Sequence, residues 1–436
     1  MAIAAREGIV ESFVIEGGVP LRGTVRPAGN KNAALPILAA CLLTADPVTL
    51  DNVPRIRDVE AMIELLCDIG AEVEWLGPNR LRVWAAEIAK TALDAELCTR
   101  IRASILFAGP LLARVGTADI PPPGGDVIGR RRVDTHLMAF AGLGADVQAT
   151  RSYRLRAPDG LRGADLYLDE ASVTGTENAV MAAVLAQGQT TISNAACEPH
   201  VQDLCRLLTA MGARIDGIGS NVLTIHGVSS LGGCTHRVGA DHIEVASFIG
   251  LAAVTGGEVL IEDAAVEHLR SIRHTFSRLG VTVEVEGDAV RVPAGQTLQI
   301  VDDVNAQIPK IEDGPWPMFP ADLTSIAVAV ATQATGTVLV FEKMFENRLI
   351  FTDKLVSMGA RIILCDPHRA VVTGPARLYG ERMASPDIRA GMAMLIASLC
   401  AEGESRIGNV GEIDRGYERI DERLRALGAR IERVSA

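Results

Sequence analysis

The sequence predicts an α/β protein of two domains, assembled from six similar units with three units in each domain. Two recurring patterns predict this: a helix that ends at a glycine before a strand, and a nearly all-apolar helix before a short strand. The length also favours two domains, because the chain of 436 residues exceeds the roughly 250–300 residues at which one hydrophobic core stops growing.

The first pattern is a helix end followed by a glycine, a small residue, a charged residue and a β-branched residue. LLCDIGAEVEW and LRALGARIERV are its first and last copies. A glycine after a periodic helix usually ends it in the left-handed conformation, and the alternating residues that follow favour a strand. The glycines lie 68 to 79 residues apart, so each marks one unit: Gly70, Gly144, Gly212, Gly280, Gly359 and Gly428.

The second pattern is an almost wholly apolar helix followed by a short strand. NAALPILAACLL precedes PVTLDNV in the first copy, and DIRAGMAMLIASLCAEG precedes ESRIGNV in the last. A helix that is apolar on every side is buried on every side. We therefore expect one buried helix in each unit, and we place the break between the third and fourth units after residue 239.

The composition excludes several classes of protein. A net charge of -12 and a pI of about 5.3 argue against a nucleic-acid surface. The longest apolar stretch, residues 391–401, is too short for a membrane helix of roughly 20 residues. Arg6, Glu7 and Glu11 interrupt the start of the chain, so we expect no signal peptide.

The cysteines and histidines show no metal-binding spacing. None of the eight cysteines forms CxxC, and Cys41, Cys67 and Cys400 lie in apolar runs, which predicts reduced, buried thiols in a cytoplasmic protein. The eight histidines form no HExxH, and the chain contains no GxxxxGK[ST] and no GxSxG. We therefore expect neither a metal nor a cofactor.

The residues that open the six apolar helices differ between the units. The aspartates among them are ordinary helix caps. In contrast, Lys31, Arg102 and Arg389 place cations where they oppose the helix dipole, which favours a shared polyanion site in the interdomain cleft, held by free N–H groups and these charges. The opening residues are Lys31 and Asn32, Arg102, Thr176 and Glu177, Asp241 and His242, Asp322, and Asp387, Ile388 and Arg389.

A glycine-hinged loop carries a lone carboxylate close to several arginines. In PPPGGDVIGRRRVDTHL, residues 121–137, Asp126 lies five residues before Arg131. Taken alone, such a segment is most simply a solvated turn.

Seven segments make the chain recognisable as a whole. GTVRPAGNKNAALPILAA, TRIRASI, PPGGDVIGRRRVD, FPADL, FENRL, DIRA and EIDRGYERI, in this order, closely resemble the enolpyruvyl transferases over nearly the full length. The resemblance implies an inside-out α/β barrel fold in two domains. Residues 22–239 would form the first domain, with the catalytic loop 121–132, and residues 1–21 plus 240–436 the second.

The resemblance also implies a reaction and its partners. The enolpyruvyl group of phosphoenolpyruvate would move to the 3'-hydroxyl of UDP-N-acetylglucosamine with release of phosphate, at the first committed step of peptidoglycan synthesis. The reaction is an addition followed by an elimination, with a tetrahedral intermediate. It needs no metal or cofactor, and it involves neither nucleic acid nor membrane.

Matching motifs assign a role to each candidate residue. Lys31 and Asn32 would meet phosphoenolpyruvate, Arg131 and Arg415 would surround its phosphate, and Arg348 and Arg389 would hold its carboxylate by forked, charge-assisted bonds. The nucleotide-sugar site would be lined by Arg102, Arg131, Arg132, Val133, Asp134, Thr135, Ala171, Ser172, Val173, Thr174 and Met344.

Two carboxylates complete the implied machinery, together with Lys31 and Arg415. Asp322 would accept the proton of the attacking hydroxyl. Asp126 would protonate C3 of phosphoenolpyruvate, at a loop position where related enzymes usually carry cysteine, and the loop would close as a lid. Since the antibiotic fosfomycin alkylates that cysteine, an aspartate predicts resistance.

Three positions depart from the commoner pattern, and all concern the acceptor. Arg132 stands where a proline is usual, Thr135 where a leucine is usual, and Ala171 where a lysine is usual. One alternative is therefore a paralogue with another sugar nucleotide or a small alcohol as acceptor. A shikimate 3-phosphate enzyme is disfavoured by the GNKN opening, and a silent ligand-binding homologue by the intact charged residues.

Overall fold

The structure is a computed structural model that describes residues 11–126 and 128–435. The expectation that no signal peptide is present concerns mainly residues 1–10, which lie outside the described residues.

The helices follow the two sequence patterns. In the described residues they are α1 (Lys31–Ala40), α2 (Arg57–Ile69), α3 (Ala95–Arg100), α4 (Ala108–Val115), α5 (Asp134–Gly142), α6 (Val173–Ala183), α7 (Pro199–Ala210), α8 (His242–Val254), α9 (Arg270–Arg278), α10 (Thr324–Ala331), α11 (Thr352–Ser357), α12 (Ile388–Cys400) and α13 (Ile420–Ala426). Helices α1, α4, α6, α8, α10 and α12 are largely buried, which confirms the expectation of one buried helix in each unit.

The strands are short and lie between the helices. They are β1 (Glu11–Glu16), β2 (Arg22–Val25), β3 (Val48–Asp51), β4 (Glu72–Gly77), β5 (Arg80–Trp84), β6 (Thr117–Ile120), β7 (Asp146–Ala149), β8 (Tyr153–Arg156), β9 (Asp165–Tyr167), β10 (Gln189–Ser193), β11 (Arg214–Asp216), β12 (Val222–His226), β13 (Thr235–Arg237), β14 (Glu258–Ile261), β15 (Glu284–Glu286), β16 (Ala289–Val292), β17 (Lys310–Glu312), β18 (Gly336–Phe341), β19 (Arg361–Asp366), β20 (Arg369–Gly374), β21 (Arg382–Ala384), β22 (Glu404–Gly408) and β23 (Arg430–Ser435).

The strands of the described residues form six sheets, of which five are mixed and β6-β8-β7 is antiparallel. Their strand orders are β21-β22-β1-β23, β11-β12-β10-β9, β13-β3-β5-β4, β15-β16-β14-β2, β17-β18-β20-β19 and β6-β8-β7. Many strands alternate buried and exposed residues, as in β20, so the sheets cover the outside while the buried helices fill the inside. The inside-out α/β fold is thereby confirmed, although the sheets of the described residues stay open and form no closed barrel.

Glycines end the units as predicted. Gly70 closes α2 with a φ of 110° and donates its N–H to the carbonyl of Cys67. The other five predicted glycines also have positive φ, between 82° and 108°, where a side chain would be strained. These six caps confirm the helix-to-strand pattern.

Buried apolar residues form two separate clusters. We call the polar region between them, which contains Lys31, Asp58 and Arg415, the gap. One cluster contains residues between 33 and 238, and the other contains residues between 13 and 25 and between 243 and 431. We call the surrounding parts of the chain the first lobe and the second lobe. The domain boundaries at 22 and 239 remain a prediction.

The chain crosses between the lobes twice, and the crossings touch. Strand β2 pairs in parallel with β14 of the second lobe, whereas β13 pairs in parallel with β3 of the first. Between them, Gly29 and Ala240 form an antiparallel bridge. These crossings join the lobes just before the starts of α1 and α8.

The prediction of uniformly buried cysteines is wrong for two of them. Cys67 and Cys365 are exposed, whereas Cys41 is buried and Cys400 is partly buried. Cys67 lies on the outward side of α2, although the apolar run around it predicts burial.

Candidate active site

The two crossings place the starts of α1 and α8 side by side at the floor of the gap. Asn30 caps α1 by accepting a hydrogen bond from Ala33 N at 3.0 Å, and its amide nitrogen lies 3.1 Å from Nδ1 of His242. Asp241, the cap of α8, accepts from Lys31 N at 3.2 Å. This arrangement fixes Lys31 at the point where the lobes meet.

A buried carboxylate, Asp58, ties the lobes together beside Lys31. Its oxygens lie 2.7 Å from Nζ of Lys31 and 2.9 Å from Nε of Arg415, which belongs to the second lobe. Burial alone would raise the pKa of Asp58, but Lys31 and Arg415 hold it below its usual value. Arg415 also donates to Asp126 and, at 2.7 Å, to Glu412. The loop carboxylate Asp126 thus reaches across the gap.

A second carboxylate, Asp322, holds two arginines of the second lobe. Arg348 donates to Oδ1 at 2.8 Å, and Arg389 donates to Oδ2 at 3.0 and 3.1 Å. Both arginines are 4% exposed, and Arg389 also donates to Tyr417 at 3.3 Å. Burial would raise the pKa of Asp322, but Arg389, Arg348 and Lys31 hold it far below its usual value. Asp322 is therefore firmly ionised as long as both arginines face it.

Arg131 lies between these two groups without an ion-pair partner of its own. Within the described ranges, no carboxylate approaches its guanidinium to 4.0 Å, although Asp126 and Asp322 both act on it electrostatically. Burial, with smaller effects from Arg348 and Arg415, lowers its pKa. A partly desolvated cation of this kind gains strongly from an incoming anion.

The loop 121–132, which we call the lid, touches the second lobe. Asn347 N donates to the carbonyl of Ile128 at 3.1 Å, and Arg130 N donates to Glu346 at 3.3 Å. Gly129 has a φ of 133°, and a Cβ there would lie 2.1 Å from an oxygen of Glu346. The lid contact therefore depends on a residue without a side chain.

Arg102 supports the far end of the lid. Its Nη2 donates to the carbonyl oxygens of Arg131 and Arg132, both at 2.9 Å. Burial and the nearby charge of Arg131 lower the pKa of Arg102 to about 10. In this structure Arg102 positions the chain that carries Arg131.

The residues predicted for the nucleotide sugar lie around the starts of α5 and α6. Arg132 and Thr135 both donate to Asp169, each at 2.7 Å. Thr174 Oγ1 lies 3.2 Å from Nε2 of His136, and Ser172 caps α6. The structure thus brings residues 131–135 and 171–174 together, with Val133 and Asp134 at the start of α5 and Ala171 just before α6.

Two further predicted residues lie apart from these. Asn32 lies in the first turn of α1, next to Lys31. Met344 lies across the gap in the segment after β18 and is 39% exposed.

Two expectations about the helix starts need correction. Asp322 is not a cap, because it lies in a 3-10 helix, Ala321–Leu323, and its oxygens accept hydrogen bonds from Arg348 and Arg389. The N–H groups expected to be free are partly occupied at two starts, since Asp387 accepts from Arg389 N and Ala390 N and α1 is similarly capped. No side chain caps the 3-10 helix that begins at Arg102.

Sequence reasoning missed Asp58, Glu412 and Tyr417. Asp58 could have been found, because it occupies the apolar face of α2 together with Met62 and Leu65. A charged residue on such a face needs a buried partner. The partner itself, Arg415, is 357 residues away in the chain, and no local pattern predicts that contact.

Two observations concern other kinds of site. No group of three histidine, cysteine or acidic residues in the described residues could hold a metal ion. Along the same residues, no helix has both the length and the apolar character that crossing a bilayer requires.

Comparison with known proteins shows similarity over almost the entire chain. A family model described as EPSP synthase (3-phosphoshikimate 1-carboxyvinyltransferase) matches residues 15–424. A UDP-N-acetylglucosamine 1-carboxyvinyltransferase of Bradyrhizobium diazoefficiens is 61% identical over 422 residues, which cover 97% of this chain and 98% of the relative. A protein of the same name from Treponema pallidum is 56% identical, with 96% and 98% covered.

Solved structures share the fold. The enolpyruvyl transferase NikO from Streptomyces tendae has a TM-score of 0.87 at 24% identity, and an EPSP synthase from Acinetobacter baumannii has a TM-score of 0.75 at 16% identity. Both comparisons cover 98% of this chain and 100% of the other.

The two-lobed inside-out fold, the family model and the relatives of high identity agree. The chain belongs to the enolpyruvyl transferase family, among the relatives named UDP-N-acetylglucosamine 1-carboxyvinyltransferase.

Proposed function

We propose that the protein transfers the enolpyruvyl group of phosphoenolpyruvate to the 3'-hydroxyl of UDP-N-acetylglucosamine and releases phosphate. The observation that carries the proposal is a ring of cations around two carboxylates in the gap between the lobes. Such a ring suits a substrate with both a phosphate and a carboxylate. The cations are Lys31, Arg131, Arg348, Arg389 and Arg415, and the carboxylates are Asp126 and Asp322.

Substrate binding would turn Asp322 into a base. While Arg348 and Arg389 both face it, its pKa lies far too low for it to accept a proton. The carboxylate of phosphoenolpyruvate would draw these arginines toward itself by forked bonds. The pKa of Asp322 would then rise, and the carboxylate could accept the proton of the sugar hydroxyl.

Substrate binding would also release Asp126. Its carboxylate now accepts from Arg415, and the phosphate of phosphoenolpyruvate would compete for the same guanidinium. An aspartate freed from its arginine, desolvated under the lid and close to an anion, binds a proton more readily. The two carboxylates would then have opposite roles that are set by their surroundings.

The steps balance without a cofactor. In the addition, the sugar oxygen bonds to C2 of phosphoenolpyruvate, Asp322 takes the hydroxyl proton, and Asp126 gives a proton to C3. In the elimination, C3 returns a proton to Asp126 and the electrons of that C–H bond form the double bond between C2 and C3. The bond between C2 and the phosphate oxygen breaks with its electrons going to the phosphate, which takes up the proton held by Asp322 and leaves as inorganic phosphate. Lys31, Arg131 and Arg415 would stabilise the phosphate as it leaves.

The proposal includes a cellular setting. The reaction would begin peptidoglycan synthesis in the cytoplasm and so support cell wall growth, cell shape and cell division. With Asp126 in place of cysteine, the protein would resist fosfomycin.

A second candidate is a paralogue that accepts another sugar nucleotide or a small alcohol. The pairing of Arg132 and Thr135 with Asp169 favours it, because two of the departures from the commoner pattern meet at one carboxylate on the acceptor side.

Phosphate release from phosphoenolpyruvate separates the candidates. We expect release when UDP-N-acetylglucosamine is present and none without it. Asp322→Asn should abolish the release, whereas Asp366→Asn should not, because Asp366 is a partly exposed aspartate of the same lobe that is paired with Arg369. Release with another acceptor alone would establish the paralogue, and no release with any acceptor would refute the proposed function.

A further inference from the structure

The segment 342–348 of the second lobe contacts both Asp322 and the lid. It carries Met344, which the resemblance assigns to the nucleotide-sugar site, and Arg348, which bonds to Asp322. It also carries Glu346 and Asn347, which bond to the lid. The hydrogen bonds that hold this segment in its conformation would therefore affect the binding of both substrates.

Two buried carboxyl groups hold the segment by its backbone. Glu342 is 0% exposed, and its Oε1 accepts from Met344 N at 3.3 Å and from Phe345 N at 3.2 Å. Asp313, which follows β17 and is 1% exposed, accepts from Lys343 N at 2.5 Å. Three successive N–H groups are thus bonded to this pair.

The pair needs a proton to be stable. Asp313 Oδ2 and Glu342 Oε2 are buried, and neither meets a donor among the described residues. Their bonds to neighbouring N–H groups bring the two carboxyl groups close together, and carboxylates only accept hydrogen bonds. Burying two negative charges at such close range is costly, so the geometry favours one proton on the pair. Burial, followed by the charge of Asp313, raises the pKa of Glu342 to about 8.

The surrounding charges are few. Arg348 acts on Glu342 in the opposite sense, favouring its ionised form. Nδ1 of His368, in the turn between β19 and β20, lies 2.7 Å from the carbonyl oxygen of Glu342. Nζ of Lys343 is engaged by Glu312 at 3.1 Å, so it leaves the pair without a cation of its own.

We propose that Glu342 and Asp313 share one proton and act as positioning residues that hold Arg348 and the lid contact in place for phosphoenolpyruvate. Loss of the proton would put two negative charges side by side beneath the segment and draw Arg348 away from the substrate. The consequence for phosphoenolpyruvate rests on the proposed function, whereas the sharing of the proton does not.

The test compares isosteric variants across pH. Glu342→Gln keeps the oxygen that accepts from residues 344 and 345 and supplies an N–H to Asp313, so it copies the protonated pair at all pH values. Asp313→Asn does the same from the other side. Glu312→Gln is the control, because Glu312 is adjacent to Asp313 but pairs with surface lysines.

The first measurement is the KM for phosphoenolpyruvate between pH 6.5 and 9.5. In the unmodified protein and in Glu312→Gln, the KM should rise about tenfold from pH 7 to pH 9, as expected for one proton with a pKa of about 8. In Glu342→Gln and Asp313→Asn the KM should stay nearly constant. A flat KM in the unmodified protein, or the same rise in all four proteins, would overturn the proposal.

The second measurement follows hydrogen exchange of the amides of residues 343–345 without substrate. Above pH 8, these amides should exchange more slowly in Glu342→Gln than in the unmodified protein at the same pH. Glu312→Gln should match the unmodified protein. If no variant releases phosphate, the proposed function fails while this measurement still decides on the shared proton. Equal protection in the unmodified protein and Glu342→Gln up to pH 9.5 would refute it.

Discussion

At the scale of single residues, the site is a set of cations neutralised by the protein's own carboxylates. Asp322 occupies Arg348 and Arg389, and Asp58 and Asp126 occupy Arg415. The carboxylate and phosphate of phosphoenolpyruvate would displace Asp322 and Asp126 from these arginines, so substrate binding would also activate the two carboxylates. This explains why cations can be buried here without a permanent ligand.

Removing single cations should separate the two substrates. Arg389→Ala should chiefly weaken phosphoenolpyruvate, by on the order of 2–5 kcal/mol, because it removes a buried, forked donor. Arg102→Ala should chiefly weaken the nucleotide sugar, since Arg102 holds the backbone of Arg131 and Arg132. Titration of each ligand measures both effects, and Arg377→Ala, an exposed arginine, is the control. Equal effects on both ligands would contradict the assignment.

Asp126→Cys should change the response to fosfomycin. A thiolate is a far better nucleophile than a carboxylate, so the epoxide should leave the unmodified protein active and inactivate the variant with time. The variant should keep its activity, because a thiol near pKa ~8.5 is a ready proton donor at neutral pH. Time-dependent covalent inactivation of the unmodified protein would show that Asp126 does not occupy the acid's position.

At the scale of elements, the lid is held by backbone contacts that cross the gap. Its glycines allow the chain to approach the segment 342–348, and Arg102 anchors its end. The lid was predicted from the resemblance to the enolpyruvyl transferases, whereas its glycines and charges alone indicated a solvated turn. The sequence could not predict the partners Glu346 and Asn347, because these contacts join parts of the chain more than 200 residues apart.

Gly129→Ala should impair closure of the lid. A Cβ would collide with Glu346, at 2.1 Å from its oxygen, so we expect a lower kcat with a smaller change in affinity for phosphoenolpyruvate. Gly144→Ala is the matched control, because Gly144 also has a positive φ but a Cβ there meets nothing within 4 Å. Trypsin cleavage at residues 130–132 is the second readout. Protection that is the same with and without the nucleotide sugar would disprove a closing lid.

At the scale of the whole molecule, most of the fold could be predicted from repetition. Six glycine caps and six apolar helices marked the units, because both patterns are local. The parallel pairings of β2 with β14 and of β13 with β3 were not visible, since strand pairing between distant segments leaves no local pattern. Asp58 could have been found from its place on the apolar face of α2, but its contact with Arg415, 357 residues away, leaves no local pattern either.

Buried histidines should make stability depend on pH. Burial lowers the pKa of His200 to about 3, whereas an unfolded chain binds that proton near pH ~6.5. Below that value the unfolded state binds a proton that the folded state does not bind, so the free energy of unfolding falls as the pH falls. Glutamates with raised pKa, such as Glu177, act in the opposite sense, so the prediction concerns a difference between variants.

Relative to the unmodified protein, His200→Gln should gain on the order of 1 kcal/mol of unfolding free energy between pH 7.5 and pH 5.5. Urea unfolding at the two pH values measures this. His226→Gln is the control, since that side chain is 45% exposed, and it should show a smaller change. An identical pH dependence in His200→Gln and the unmodified protein would mean that His200 carries a proton in the folded state.

The central claim is that Asp126 protonates C3 of phosphoenolpyruvate during transfer to the nucleotide sugar. The most direct measurement is the incorporation of deuterium from D2O into the C3 position of the enolpyruvyl product. We expect incorporation by the unmodified protein when UDP-N-acetylglucosamine is present, none by Asp126→Asn, and its return in Asp126→Cys. Incorporation by Asp126→Asn at the rate of the unmodified protein would contradict the account.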